Sequence, residues 1–271
     1  MPFRVNYHTH TFRCHHASGD AVDYARVAAK AGMVALGISD HVPLPDHRWQ
    51  EVRMAMGEID EYTDAIDAAR AAVPELTILT GAECEYDPAY HSFFRDELLG
   101  RRGFHYLIGA SHFIEVDGRW KGSFEGLVSA RLLSSYAKQC VRTMEAGLFI
   151  GLAHPDLIGN SNVEWTEDTR ACAREICAAA AALRFPLELN SYGIRKPWIQ
   201  SRDGARPSYP WPPFWRVAAE EGAPVMLSSD AHRPVDVAAG YDELAAIRDR
   251  YQLVEIDPLA ERVAALRSAR G

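Results

Sequence analysis

Val5-Asn6-Tyr7-His8-Thr9-His10-Thr11-Phe12-Arg13-Cys14-His15-His16 opens the chain with a short strand and the turn that follows it. Side chains two apart on a strand point the same way. His8 and His10 therefore project together from one face, near the strand's C-terminal end. His15 or His16 returns from the loop toward the same spot. Two imidazoles aimed at one point, with a third nearby, suit a divalent metal of the zinc, manganese or iron type. Alone, such a pair is as readily a couple of hydrogen-bonded core or surface histidines. The weight comes from the rest of the chain, which repeats the pattern.

The apolar run 33–39 (MVALGIS) has the length of a buried strand and ends in Asp40-His41. A strand over 76–81 runs into Glu83-Cys84-Glu85, and one over 106–111 ends at His112. The runs 148–153 and 185–190 end at His154-Pro155-Asp156 and at Asn190, and 225–229 ends at Asp230-Ala231-His232. Between them, helical periodicity covers 20–32, most of 51–73, a short stretch 90–99, then 124–146, 167–183, 214–221, 241–249 and 257–267. Thr166 is placed to cap the helix that follows it. A polar loop lies around 118–122, and a long loop rich in Pro, Trp and charge spans 191–213.

Strand and helix alternate with short connections and no linker-like segment, so the fold class expected is α/β, with parallel strands and helical crossovers. One domain over residues 1–271 is expected, a usual length for a single α/β barrel. An open doubly wound sheet binds ligands at one switch point. A barrel collects them from the C-terminal ends of many strands. Polar groups at nearly every strand end favour a closed or nearly closed barrel.

Composition narrows the function. The net charge is −8 and no basic stripe is present, which disfavours an extended nucleic-acid partner. No apolar run approaches the ~20 residues of a membrane span. The N-terminus enters strand-like sequence without the features of a secretory signal. The five cysteines are scattered without a CxxC pair, which indicates neither a disulfide framework nor a thiolate zinc site and fits a reducing cytoplasm.

His8, His10, His16, His41, Glu83, His112, His154, Asp230 and His232 form the candidate constellation. Each has a bland reading: Asp40 as a cap beside a loop histidine, Glu83 and Glu85 as a solvated pair, His154-Pro155 as turn chemistry. Jointly, that reading would gather many costly polar groups at one end of a barrel without purpose. The set suffices for more than one metal at about three or four protein ligands each.

The ordered motifs HxHT…CHH, SDHVPLP, GAECEYDP, IGASHF, AHPDLIGN, LELNSYGIRKP and SSDAHRP closely resemble the PHP (polymerase and histidinol phosphatase) superfamily, and within it the monofunctional histidinol-phosphate phosphatases. The resemblance runs from His8 to about Val237. It implies a distorted seven-stranded (β/α)7 barrel and three divalent metal ions, Zn, Mn or Fe. By position it implies His8, His10, Glu83 and Asp230 at the first metal, Glu83, His112 and His154 at the second, and His16, His41 and His232 at the third. It selects His16 over His15. It also implies that Arg195 grips the substrate phosphate. Gly159-Asn160 depart from the pattern, since relatives often carry a basic residue there.

The chemistry expected is hydrolysis of a phosphate monoester of a small phosphorylated metabolite, L-histidinol phosphate first among them, with a metal-bridging hydroxide as nucleophile. His41, His232 or Asp20 would assist proton transfer, and Asp40 or Asp156 would orient a ligand imidazole. The alternatives are a small-nucleotide phosphodiesterase on the same scaffold, a phosphatase for another metabolite, an amidohydrolase and a metal-binding module without activity. The amidohydrolase reading is weakened by the lack of a lysine at a strand end.

Overall fold

The computed structural model describes residues 5–124, 126–202 and 204–269. Its parallel strands are short and buried. β1 (Val5–Asn6), β2 (Ala35–Ile38) and β3 (Thr77–Thr80) form one parallel sheet in that order. β4 (Glu83–Glu85) pairs with β5 (Ile108–Ala110). Two antiparallel hairpins decorate the rim: β6 (Phe113–Val116) with β7 (Arg119–Gly122), and β9 (Ile199–Ser201) with β10 (Gly204–Arg206). β8 (Leu187–Asn190) runs parallel to β11 (Val225–Ser228). The crossovers are α1 (Ala21–Lys30), α2 (Ile59–Ala72), α3 (Ala130–Glu145), α4 (Glu167–Leu183) and α5 (Pro212–Glu221), and α6 (Tyr241–Tyr251) and α7 (Ala260–Ser268) close the chain. This is the expected α/β fold.

The expected closed barrel is not present as one continuous ladder among the described residues. The parallel pairing breaks into pieces joined by single bridges, Thr9 with Ala231, His41 with Glu83, Gly109 with Leu152, and Leu152 with Leu187. One break falls between β3 and β4, at Gly81-Ala82. There the Tyr62 hydroxyl lies 2.8 Å from the Ile38 carbonyl and 2.9 Å from that of Gly81, and accepts the Asp40 N–H at 3.2 Å. One side chain thus satisfies backbone groups that a regular ladder would pair. The strand expected over 148–153 is reduced to the two bridges at Leu152.

Helix boundaries also moved. The helix expected over 124–146 starts at Ala130, because the Ser129 hydroxyl accepts the Leu132 N–H and ends the preceding loop. The stretch 51–73 is a pair of short 3₁₀ turns before α2. The helix near 90–99 is a wide π-type helix, Phe93–Arg101, that continues through Gly100.

Among the strands, Tyr106 is buried and donates its hydroxyl hydrogen to the Tyr7 carbonyl at 2.6 Å. Gly37 and Gly81 leave room for its ring: a Cβ on Gly37 would lie 1.9 Å from the Tyr106 oxygen. Gly37→Ala is expected to lower unfolding stability by about 1–3 kcal/mol through overpacking. A urea transition unshifted from that of the wild type would contradict this packing.

Candidate metal centre

The parallel strands deliver their polar side chains at their C-terminal ends, where His16, His41, Glu83, His112, His154, Asp230 and His232 line one cavity of about 190 Å³. His8 and His10 complete the cluster, fully buried against Glu83 and Asp230. Glu83 stands at the centre. Its Oε2 lies 3.3 Å from His8 Nε2, 3.5 Å from His10 Nε2 and 2.9 Å from His41 Nδ1. Its Oε1 lies 3.0 Å from His154 Nε2 and 3.3 Å from His112 Nε2. One carboxylate therefore faces two histidine groups, one with each oxygen.

The first implied set is brought together: His10 Nε2 lies 3.1 Å from Asp230 Oδ1, and His8 Nε2 lies 3.7 Å from it. The second set converges as well, with the Nε2 atoms of His112 and His154 only 3.0 Å apart. The third set is looser. The His16 ring centroid lies 5.3 Å from His41 and 4.9 Å from His232, and His16 is exposed at the cavity mouth. His10, His41 and His232 bring ligand atoms within 4.8 Å of one another, and so do Cys14, His16 and His232. Exposed His15 does not line the cavity.

These donors fit divalent cations. Glu83 Oε2 and Asp230 Oδ1 are buried acceptors without a hydrogen-bond partner, a costly state that a cation relieves. The outer nitrogens are largely spoken for, which leaves the inner ones free. His8 Nδ1 lies 2.7 Å from Glu188, His112 Nδ1 contacts Glu85, and the Nδ1 atoms of His16 and His232 face the carbonyls of Cys14 and Asp230 at 2.7 and 3.0 Å. Two of the candidate residues, His154 and Asp230, sit at φ +30° and +48°, a left-handed backbone uncommon outside glycine.

Electrostatics point the same way. Burial would lower His8, yet Glu188, Asp230 and Glu83 together hold it well above the ordinary histidine range. Burial is likewise overridden at His10, by the neighbouring carboxylates of Asp230 and Asp40. Burial would raise Glu83, and the surrounding histidines, His112 first, keep it well below the usual carboxylate range. Burial, reinforced at both by His10, drives His41 and His232 well below theirs. The cluster is one that calls for positive charge.

Glu188 and Glu85 are the orienting carboxylates that sequence reasoning missed. Glu188 is fully buried on β8, and besides His8 it accepts the His154 N–H at 2.9 Å and the Asn190 amide at 2.8 Å. Glu188 lies within the strand run 185–190 and not at its end, so the strand-end pattern does not single it out. Glu85, whose bland reading is one of a solvated pair with Glu83, is buried. Asp40 does sit beside a ligand imidazole, 3.4 Å from His10 Nδ1. Asp156 does not: it accepts the Trp211 N–H and the Trp215 indole N–H at 2.7 and 2.8 Å, and burial pushes its carboxyl up to about 7. Asp20 caps α1 and pairs with Arg13, outside the cavity lining. Glu188→Gln is expected to weaken metal affinity about 10–100-fold, as loss of an orienting partner does. A chelator-competition titration matching that of the wild type would count against this role.

Arg195 is placed differently from its expected role. Its Nη1 donates to Ser191 Oγ at 2.9 Å and its Nη2 to the Ser229 carbonyl at 2.6 Å, and it does not line the cavity. The next residue, Lys196, does line it. Burial holds Lys196 below the ordinary lysine range. Of the aromatics in the long loop, Tyr192 and Tyr209 also line the cavity, whereas Trp198 is exposed and Trp211 packs on Trp165. Phe124 stacks on His112, and Tyr192 on His232.

Known proteins resemble this chain over most of its length. A probable histidinol-phosphatase of Deinococcus radiodurans is 30% identical over 250 residues, spanning 89% of this chain and 92% of that protein. A probable phosphatase of Shewanella amazonensis is 26% identical over 96% of this chain and 90% of its own length. Among solved structures, the histidinol phosphate phosphatase of Lactococcus lactis subsp. lactis, complexed with Zn, L-histidinol and phosphate, superposes with a TM-score of 0.68. It is 14% identical, over 93% of this chain and 95% of that one, which shows a common fold. The model of the PHP domain matches residues 6–192, well over half of the sequence, and the chain belongs to that family.

Proposed function

We propose that the chain is a metal-dependent phosphoric monoester hydrolase of the histidinol-phosphatase type, with L-histidinol phosphate as the first substrate to try. The observation that carries this reading is Glu83, whose two oxygens face separate histidine groups across one small cavity. The 30% identical probable histidinol-phosphatase supports the substrate class.

His8, His10, Glu83 and Asp230 would hold one ion, Glu83, His112 and His154 a second, and His16, His41 and His232 a third, Zn, Mn or Fe by donor type. Ions bound there supply Lewis acidity, activating a nucleophile at neutral pH and neutralising phosphoryl charge. Glu188, Glu85 and Asp40 keep the imidazoles aimed inward. His41 and His232 border the open space where the ester would sit, as ligands of the third ion. A cavity of about 190 Å³ is of a size to take a small phosphate ester. No helix among the described residues is long and apolar enough to cross a membrane. All five cysteines are unpaired and buried, in keeping with a reducing cytoplasm.

The reading extends to the fold, a single domain with a distorted seven-stranded (β/α)7 barrel. Its support is that ladders and bridges together link β1, β2, β3 with β4, β5, Leu152, β8 and β11 in a circuit that returns through Ala231 to Thr9. The functional test is a screen of metal-reconstituted protein against phosphate monoesters, L-histidinol phosphate included, and phosphodiesters. Phosphate release from monoesters is expected. Preference for diesters over every monoester would overturn the assignment in favour of a nucleotide phosphodiesterase.

A further inference from the structure

Phosphoryl transfer gains from a cation that meets the non-bridging oxygens as charge moves onto the leaving group. Two adjacent residues, Arg195 and Lys196, could supply it, and the structure separates them by what each is already holding. The Arg195 guanidinium is committed to the backbone. Nη1 reaches Ser191 Oγ at 2.9 Å and the Ser191 carbonyl at 3.3 Å. Nη2 reaches the Ser229 carbonyl at 2.6 Å and that of Asp230 at 3.5 Å. Those carbonyls belong to the turn that carries Asp230 in its left-handed conformation at φ +48°. Arg195 thereby braces a strained segment that presents a proposed metal ligand.

Lys196 is in the opposite situation. It lines the cavity with Glu83, Asp230 and the histidines, and it is the one cation other than histidine among the described lining residues. Its ammonium lies over three rings, 5.2 Å from Phe124, 4.6 Å from Tyr192 and 5.1 Å from Tyr209. No carboxylate among the described residues lies within ion-pair distance of it. Aromatic faces hold a cation in place without consuming its hydrogen-bond donors. Two of the rings also stack on candidate ligands, Phe124 on His112 and Tyr192 on His232. The box thus fixes the ammonium relative to the cluster and leaves its N–H groups free for an anion.

We infer that Lys196 is the catalytic residue that contacts the substrate's phosphoryl oxygens, and that Arg195 is a positioning residue for the Asp230 turn. This rests on the phosphatase reading and assigns its anion contact to a point-charge ammonium in place of a guanidinium fork.

The test uses the metal-loaded full chain and a phosphate monoester that the wild type hydrolyses. Lys196→Met keeps the stem within the ring box. It is expected to lower kcat/KM by roughly 10²-fold or more and to weaken inhibition by inorganic phosphate, while metal content and melting temperature hold. Lys196→Arg, which keeps the charge, should recover part of the loss. Arg195→Met should instead lower metal occupancy at fixed free metal and lower the melting temperature, with turnover returning in excess metal. Lys196→Met with undiminished kcat/KM and unchanged phosphate inhibition would overturn the Lys196 role. So would an Arg195→Met protein that carries its full metal complement yet loses turnover while Lys196→Met keeps it. A wild-type protein that releases no phosphate from any monoester would overturn the phosphatase reading, and this inference with it.

Discussion

Replacing Glu83 by glutamine is expected to lower kcat/KM by about 10³-fold or more and to release at least one bound metal ion, since losing even an orienting partner costs 10–100-fold. Glutamine matches glutamate in size, so the packing survives, but the charge is lost and one acceptor oxygen becomes a donor. Whichever oxygen is replaced, the amide faces imidazole nitrogens at about the present spacing: Oε1 stands 3.0 Å from His154, and Oε2 stands 2.9 Å from His41. The change therefore disables one histidine group and weakens the tie between the two. Metal quantification and steady-state kinetics on the same preparation read both effects. A folded Glu83→Gln protein with its full metal content and turnover near that of the wild type would remove Glu83 from the centre of the account.

Stripping the metals is the second large expected effect. Turnover should vanish, and the melting temperature should fall by about 8 °C or more per tightly held ion. An ion at a thousand times its Kd contributes about 4 kcal/mol to the folded state, and for a chain of this size each kcal/mol shifts the midpoint by roughly 2–4 °C. The cluster gives this linkage a structural cause. Without cations, Glu83 and Asp230 keep buried oxygens that have no hydrogen-bond partner, and Glu188, Glu85 and Asp40 lie buried close behind them. Protons on His8, His10 and His112 would offset part of that charge, and burial opposes protonation of His41 and His232. A chelated protein that melts at the temperature of the metal-loaded one would show that the ions carry no part of the fold.

Much of this centre is legible in the sequence because parallel strands buried on both faces read as unbroken apolar runs. The residue that ends such a run stands at the rim, where ligands gather. His112, His154, and Asp230 with His232 are found that way, and His8 with His10 by their two-residue spacing on a strand. What stays hidden has identifiable causes. Glu188 lies inside its strand, where an alternating pattern gives no sign that its outer neighbour is His8. Glu85 shares a face with Glu83, and only the partner strand decides that it meets His112. Arg195 and Lys196 are adjacent in a 3₁₀ turn and its cap, and a rotation of one residue exchanges which cation faces the cavity. Cys14 lies among His10, His16 and His232 because of a tight turn closed by His15 at φ +70°. The contact of Tyr62, on α2, with the Gly81 carbonyl joins residues far apart in sequence, and no local pattern announces it.

The most direct test is an anomalous-difference map from crystals of the metal-loaded protein. Peaks are expected within about 2.0–2.3 Å of ligand atoms: one shared by His8, His10, Glu83 and Asp230, a second by Glu83, His112 and His154, and a third beside His16, His41 and His232. A map from metal-replete protein with no peak among these side chains would contradict the account at its centre.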